Sequence, residues 1–172
     1  LNRGALAETA RLLEPILERS PWLAQRVAAA RPFADLHDLA ARIETEIGAL
    51  SGEDRLRLLR AHPELAPTAP TQMTQASQDE QARLSLGQPP TALRAELAAL
   101  NQRYRDRHGF PFIIALHAAA DLETVLVRFR ESLERDTAAE TTRALGEVVS
   151  VARARLARHA RDVAQSVPAG DA

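Results

Sequence analysis

The sequence predicts an all-α protein that forms a single compact domain of about eight helices. Residues that start and end helices recur along almost the whole chain, whereas the apolar–polar alternation typical of strands is nearly absent. The chain has 172 residues, of which 45% are hydrophobic and 26% charged, as is usual for one soluble domain with a sizeable core. We expect residues 1–164 to form this domain and the segment QSVPAGDA, residues 165–172, to be a disordered tail.

Start and stop signals place four helices before the first long loop. The first is expected from about Ala5 to Arg19, and its inward-facing residues are expected to be Leu6, Leu13 and Leu17. Ser20 precedes a proline, a residue favoured at the first helical position, so a second helix starts there. Asp35 opens a third helix, and Ser51 opens a fourth that runs to His62.

A proline-rich loop then interrupts the helices at PELAPTAPTQMTQ, residues 63–75. Loops of this length in compact domains are more often functional or disordered than simple connections. After the loop we expect a short helix following Ser77, a longer one from Thr91 to Gly109, and another from Asp121.

The last helix is expected to be long and to start at a capping box formed by Thr137 and Glu140. Its apolar stripe predicts that two of its arginines lie on the solvated side, namely Arg158 and Arg161. Arg153 and Arg155 flank the stripe on opposite edges, each about 75 to 85° from its centre. Helical periodicity alone therefore leaves open which of the two reaches the interior.

Composition excludes several kinds of chemistry. All 22 basic residues are arginine, and the chain contains neither lysine nor cysteine. Schiff-base formation, thiolate catalysis, disulfides and cysteine-bound Fe–S clusters are therefore excluded. The remaining reactive groups are those of His, Glu, Asp, Arg and the hydroxyl residues.

Charge and hydropathy bear on partners and location. The formal net charge of −1 offers no electrostatic basis for binding nucleic acid or an anionic membrane. No apolar run approaches the ~20 residues of a membrane span, and the first residues lack the apolar core of a signal peptide. We therefore expect a soluble cytoplasmic protein. Because the first residue is leucine, we also expect the sequence to begin inside a longer one.

The stretch RLLRAHPELAP, residues 57–67, places His62 directly before a proline and at the end of a predicted helix. Its ring would lie near unsatisfied helix carbonyls, whose partial negative charge favours the protonated imidazolium. Such a position suits a proton donor, and it suits a C-terminal cap equally well.

Two further stretches also admit two interpretations. In SQDEQ, Ser77 and Glu80 can form a capping box, or they can bind a polar ligand at the free amides of a helix N-terminus. The stretch HGFPFIIAL, residues 108–116, resists helix formation and is either a buried connector or a segment whose backbone pairs with a ligand. A planar, amide-rich ligand would satisfy such a backbone.

The histidines give no support for a metal site. They occur at positions 37, 62, 108, 117 and 159, a spacing without His-x-x-x-His or a similar ligand pattern. We therefore expect no bound metal.

Six motifs occur together in the order SPW, RPF, AHPELA, SxxEQ, NxxYxxxxGFPFI and VARARL. This combination resembles the decarboxylase family that acts on 2-oxo-4-hydroxy-4-carboxy-5-ureidoimidazoline (OHCU) in urate breakdown. The resemblance extends from about Ser20 to Leu156. It implies an all-α enzyme, usually a homodimer, that converts OHCU to (S)-allantoin without a metal or an organic cofactor.

The same resemblance implies roles for individual residues. His62 matches the family's proton donor, Glu80 a second catalytic group, and Arg155 a partner for a substrate carboxylate or carbonyl oxygen. The matching substrate-binding positions are Pro63, Ser77, Gln81, Phe112, Ile113, Ile114, Ala115 and Leu116.

Two residues depart from the family pattern. His108 stands where phenylalanine commonly precedes Gly-Phe-Pro, and Arg83 stands where glycine commonly follows Gln-Ala. Either change could reshape the pocket wall. A related decarboxylase with another ureido or hydantoin substrate remains as an alternative. So does a non-enzymatic helical interaction module, which would explain the helices and the near-neutral charge without a pocket.

Overall fold

The computed structural model describes residues 2, 4–69 and 72–166, except for the side chains of residues 164 and 166. Over these residues the protein contains eight α-helices, a short 3-10 turn after the sixth helix and no strands, which confirms the all-α prediction. The helices are α1 (Leu6–Leu13), α2 (Pro21–Ala29), α3 (Leu36–Gly48), α4 (Gly52–Arg60), α5 (Gln75–Ala82), α6 (Thr91–His108), α7 (Leu122–Glu134) and α8 (Thr137–Ser166). The 3-10 turn spans Leu116–Ala118.

Helix α1 is shorter than the sequence pattern predicted. It ends at Leu13, because Pro15 lacks a backbone N–H and its ring clashes with the preceding turn. Turns follow up to Arg19, where φ is +43°. Leu13 and Leu17 are buried as expected, but Leu6 is exposed, so its predicted inward position is wrong. The break brings Glu18 into the protein interior.

The predicted caps of three helices are confirmed. The carboxylates of Asp35 and Asp121 each accept a hydrogen bond of 2.8 Å from the backbone N–H three residues later. The hydroxyl of Ser51 does the same at 3.1 Å. Gly109 ends α6 with φ of +78°, a conformation that only glycine adopts without strain.

Both predicted capping boxes are wrong. Helix α5 starts at Gln75 and is capped by Thr74, whose hydroxyl accepts from the N–H of Ser77 at 3.3 Å. Near the start of α8, Asp136 accepts from the N–H of Ala139 at 2.9 Å. Both boxes therefore begin too late in the sequence. As a result, the side chains of the first α5 turn are free to point into the protein.

Helix α8 lies at the centre of the fold. It packs against α3, α4 and α6, while α1 packs on α2 and α6 on α7. Beside it the extended connector between α6 and the 3-10 turn is buried among aromatic rings, and Phe112 stacks on Phe129 at 4.1 Å. Within the described residues, no helix is both long and apolar enough to cross a membrane. Helix α8 reaches Ser166, and the rest of the predicted tail, residues 167–172, lies outside the described residues.

Candidate active site

A small cavity forms where the end of α4, the first turns of α5, the connector and α8 meet. Its volume is about 40 Å³. Every predicted site residue except Ala115 lines it: His62, Pro63, Ser77, Glu80, Gln81, Phe112, Ile113, Ile114, Leu116 and Arg155. Leu65 and Val151 complete the wall. Larger depressions of about 750 and 720 Å³ exist elsewhere on the surface, but neither contains these residues.

The ring of His62 is fixed just beyond the end of α4. Its Nδ1 lies 3.0 Å from the carbonyl oxygen of Leu58. Because a carbonyl can only accept, Nδ1 carries the proton of this bond, and Nε2 is the ring nitrogen left for other partners. The ring therefore satisfies a carbonyl of the last α4 turn and lines the cavity as well. The two interpretations of His62 are compatible.

The pKa of His62 reflects opposing influences. Burial lowers it, and this effect dominates, so the pKa lies below its ordinary value. The Leu58 carbonyl and the negative charges of Glu18 and Glu80 act in the opposite direction, while Arg155 adds to the lowering. Glu18 and Glu80 thus partly offset the effect of burial on the pKa of His62.

Arg155 is held by two carboxylates. Its Nε and Nη2 donate to the two oxygens of Glu80, both at 2.8 Å, in a bidentate pair. Its Nη1 donates to Glu18 at 2.8 Å, and Nη2 also donates to the hydroxyl of Ser77 at 3.0 Å. Burial alone would lower the pKa of Arg155, but the bonds to Glu80 and Glu18 outweigh it and raise this pKa. The guanidinium is therefore permanently charged.

The structure decides between the two arginines that helical periodicity could not separate. The side chain of Arg155 is 5% exposed, whereas that of Arg153 is 53% exposed and pairs with Glu44 on α3. Farther along the helix, Arg161 is exposed and Arg158 partly buried. Arg155 is thus the arginine that reaches the cavity.

Glu18 is a member of this cluster that the sequence analysis missed. Its carboxylate accepts from the hydroxyls of Thr74 at 2.9 Å and Ser77 at 2.8 Å, in addition to Arg155. Burial acts to raise the pKa of Glu18, but Arg155 and the two hydroxyls lower it further, so the net shift is downward. The signal in the sequence was Pro15, which ends α1 just before this residue and allows it to turn inward.

The connector is held from behind by α8. Nη2 of Arg143 donates to the carbonyl of Ile113 at 3.0 Å, and a Glu147 carboxylate oxygen accepts from the N–H of Ala115 at 2.7 Å. The predicted position Ala115 therefore has its amide engaged by Glu147, away from the cavity. Across the part of the chain that the structure describes, no group accepts from the N–H of Phe112, Ile113, Ile114 or Leu116. Buried backbone amides without a protein acceptor are rare.

Gln81 connects α5 to the proline-rich loop. Its Oε1 accepts from the N–H of Ala66 at 2.8 Å, and its Nε2 donates to the carbonyl of Glu64 at 2.7 Å. The side-chain amide thus fixes the segment that follows Pro63. Among the described residues, no three His, Asp or Glu side chains converge closely enough to hold a metal ion.

The side chains of the two residues that depart from the family pattern do not line the cavity. The ring of His108 lies between the carbonyl of Ser132 and the hydroxyl of Thr137, each at 3.2 Å, and burial lowers its pKa. The guanidinium of Arg83 donates to the carbonyl oxygens of Leu116 and Ala119, which links α5 to the 3-10 turn.

Comparison with known proteins decides the family. A family model described as OHCU decarboxylase matches residues 2–157, a range that contains every residue of the cavity. The chain belongs to the OHCU decarboxylase family.

Individual OHCU decarboxylase relatives agree with this assignment. The chain is 34% identical to the 2-oxo-4-hydroxy-4-carboxy-5-ureidoimidazoline decarboxylase of Haloferax volcanii, over 83% of each protein. It is 40% identical to the uric acid degradation bifunctional protein of Bacillus subtilis, covering 84% of this chain but 29% of that protein. A crystal structure of (S)-allantoin synthase superimposes with a TM-score of 0.67 at 28% identity, covering 90% of this chain and 50% of that one.

Proposed function

We propose that this protein decarboxylates OHCU to (S)-allantoin in urate degradation. The observation that carries the proposal is the convergence of His62, Glu80 and Arg155 on one cavity, whose wall includes backbone amides that find no acceptor among the described residues. Membership of the family supports the same conclusion. So do the functional groups of OHCU, because its carboxylate, hydroxyl and ureido oxygens match the charges and hydrogen-bonding groups of this cavity.

The reaction needs a place for the electron pair that CO2 leaves behind. OHCU supplies its own, because the carbon that bears the carboxylate and a hydroxyl is bonded to a ring C=N. When the C–C bond to the carboxylate breaks, the pair forms a C=C bond to the neighbouring carbon and the C=N electrons move onto nitrogen. No lysine imine or external electron sink is required.

His62 completes the reaction by donating a proton. In this proposal Nε2 delivers a proton to the ureido-bearing carbon from one face, while the hydroxyl proton is transferred to the ring nitrogen and the hydroxyl becomes a carbonyl. The overall step consumes one proton, which solvent returns to His62. A donor fixed on one side explains a single enantiomer, because protonation in free solution occurs from both faces.

Glu80, Arg155 and the connector orient the substrate. Arg155 binds a carboxylate or carbonyl oxygen, Glu80 accepts from the hydroxyl, and the N–H groups of the connector donate to the ring and ureido oxygens. The cavity of about 40 Å³ is well below the ~300 Å³ at the lower end of ligand sites. Its side chains therefore move apart when OHCU enters.

The test is to generate OHCU from urate with urate oxidase and a 5-hydroxyisourate hydrolase, and to follow the circular dichroism of the product. With the protein we expect the circular dichroism signal of (S)-allantoin. Without it we expect a racemic product, which gives no signal. An OHCU decay rate and optical activity unchanged by the protein would contradict the proposal. The alternative substrates are tested by adding hydantoin or other ureido acids in place of OHCU.

We also propose, from the family resemblance, that the protein is a homodimer that works in the cytoplasm. Light scattering should then give a mass of about twice the 18.8 kDa of the chain. A single-chain mass at micromolar concentration would contradict the dimer. Fractionation of the source cells would test the location.

A further inference from the structure

Arg155 has two carboxylate partners in different surroundings. The side chain of Glu80 is 14% exposed and lines the cavity, whereas that of Glu18 is fully buried and does not line it. An entering ligand can replace Glu80 as a partner of the guanidinium. It cannot replace Glu18 without leaving a buried charge unpaired, which is strongly unfavourable.

Resting on the proposed decarboxylation, we propose that Glu18 is a positioning residue: it holds Arg155 and Ser77 in place while Glu80 releases Arg155 to the substrate. Glu18 accepts from Arg155 and Ser77, each at 2.8 Å, so one carboxylate fixes two groups that line the cavity. Thr74, at the cap of α5, donates to both oxygens of Glu18 at 2.9 Å and anchors it in turn.

The charge of Glu18 has a second consequence, for the proton donor. Glu18, Glu80 and Arg155 together carry one net negative charge, which a protonated His62 neutralises. The groups facing His62 are Glu18 from the turns after α1, Glu80 from α5, Arg155 from α8 and the Leu58 carbonyl of its own helix. Glu18 raises the pKa of His62, so it favours the form that donates the proton.

Two substitutions separate position from charge. Glu18→Gln keeps the length of the side chain but removes its charge, and Glu18→Asp keeps the charge but shortens the reach. We expect both to lower kcat by up to about 100-fold, since a misplaced orienting group can cost this much. Activity should fall as the pH rises and His62 loses its proton. In Glu18→Gln this high-pH limb of the pH profile should lie at lower pH than in the parent, because the pKa of His62 is lower. In Glu18→Asp the limb should stay near the parental position.

The matched control is Glu44→Gln. It removes a surface carboxylate of α3 that pairs with Arg153, an arginine on the same helix as Arg155. It should leave kcat and the pH profile unchanged. The pKa of His62 is followed independently by NMR of its ring protons, which needs no substrate, and it should be lower in Glu18→Gln than in the parent.

Several results would overturn the inference. One is parental kcat in Glu18→Asp, which also carries the test if Glu18→Gln does not fold. Another is a lowered kcat in Glu18→Gln with an unmoved pH limb and an unmoved His62 pKa, because a purely structural role gives that pattern. An inactive parent, by contrast, would contradict the proposed function itself.

Discussion

Helix α8 carries a buried arginine, Arg155, and a partly buried one, Arg143, whose ion pairs resemble each other. Nε and Nη2 of Arg143 donate to one oxygen of Glu140 at 2.8 and 2.5 Å, and the hydroxyl of Tyr104 donates to the same oxygen at 2.6 Å. Nε and Nη2 of Arg155 likewise donate to Glu80. In both arginines the bonded carboxylates raise the pKa against the effect of burial.

The two clusters differ in what they face. Arg155 and Glu80 line the cavity, whereas Arg143 lies behind the connector, with its guanidinium 5.0 Å from the centre of the Phe112 ring. Glu140 is fully buried and does not line this cavity. Burial and ion pairing alone therefore do not identify the active site of this protein. Access to the cavity is what separates the two clusters, so we assign the Arg155 cluster to the proposed reaction and the Arg143 cluster to stability.

The largest difference between the clusters should appear at His62, the proposed proton donor, which lines the same cavity as Arg155. His62→Ala is expected to lower kcat by about 10²- to 10⁴-fold, the usual contribution of a general acid, while circular dichroism of the protein overlays the parent. The OHCU assay measures the first quantity. Appreciable remaining formation of (S)-allantoin would show that another group donates the proton.

Arg155→Lys should have the next largest effect. Lysine keeps the charge but loses the bidentate fork, so we expect kcat/KM to fall by roughly 100-fold, or about 2.7 kcal/mol. Arg153→Lys is the control and should stay close to the parent, because its ion pair is at the surface. If steady-state kinetics ranked the two variants in the reverse order, the assignment of Arg155 to the site would be wrong.

A change in the Arg143 cluster should affect stability and leave catalysis unchanged. Tyr104→Phe removes the donor to Glu140 at a fully buried position, so the free energy of unfolding should fall by about 1 to 2 kcal/mol. Urea unfolding measures this loss. A parental unfolding curve, or a kcat lowered tenfold or more, would mean that the cluster does not have the structural role assigned to it.

The smallest effect is expected at His108, next to Tyr104. Burial keeps its pKa below the ordinary value of 6.5, so the unfolded chain binds a proton more readily and stability is lost as the pH falls below about 6.5. His108→Phe removes this loss and should leave OHCU turnover unchanged. The free energy of unfolding of the variant, relative to that of the parent, should be higher at pH 5.5 than at pH 7.5. An equal difference at both values would contradict this assignment.

Local sequence signals predicted much of the fold. Caps such as Asp35, Ser51 and Asp121 act through neighbouring residues, and Gly109 acts through its own backbone, so both can be recognised in the sequence. The capping boxes failed because two nearby hydroxyl or acidic residues compete for the same helix end. Thr74 precedes Ser77, and Asp136 precedes Thr137, in each case as the actual cap.

The site was predicted less completely, for a different reason. Family motifs indicated His62, Glu80 and Arg155, but periodicity could not choose between Arg153 and Arg155, because the choice depends on which neighbouring helix packs on α8. Glu18 was missed because its partners lie far away in the sequence, on α5 and α8. Pro15 shows where α1 ends, but no local pattern shows which distant side chains Glu18 then contacts.

The most direct test compares Glu80→Gln with Glu140→Gln, the same substitution in the carboxylate partner of each arginine. The OHCU assay and urea unfolding are applied to the same preparations. We predict that Glu80→Gln loses most of its kcat but little stability, whereas Glu140→Gln loses about 1 to 3 kcal/mol of stability and keeps kcat within about threefold of the parent. Normal turnover in Glu80→Gln, or a loss of kcat in Glu140→Gln as large as in Glu80→Gln, would contradict the division between a catalytic and a structural cluster.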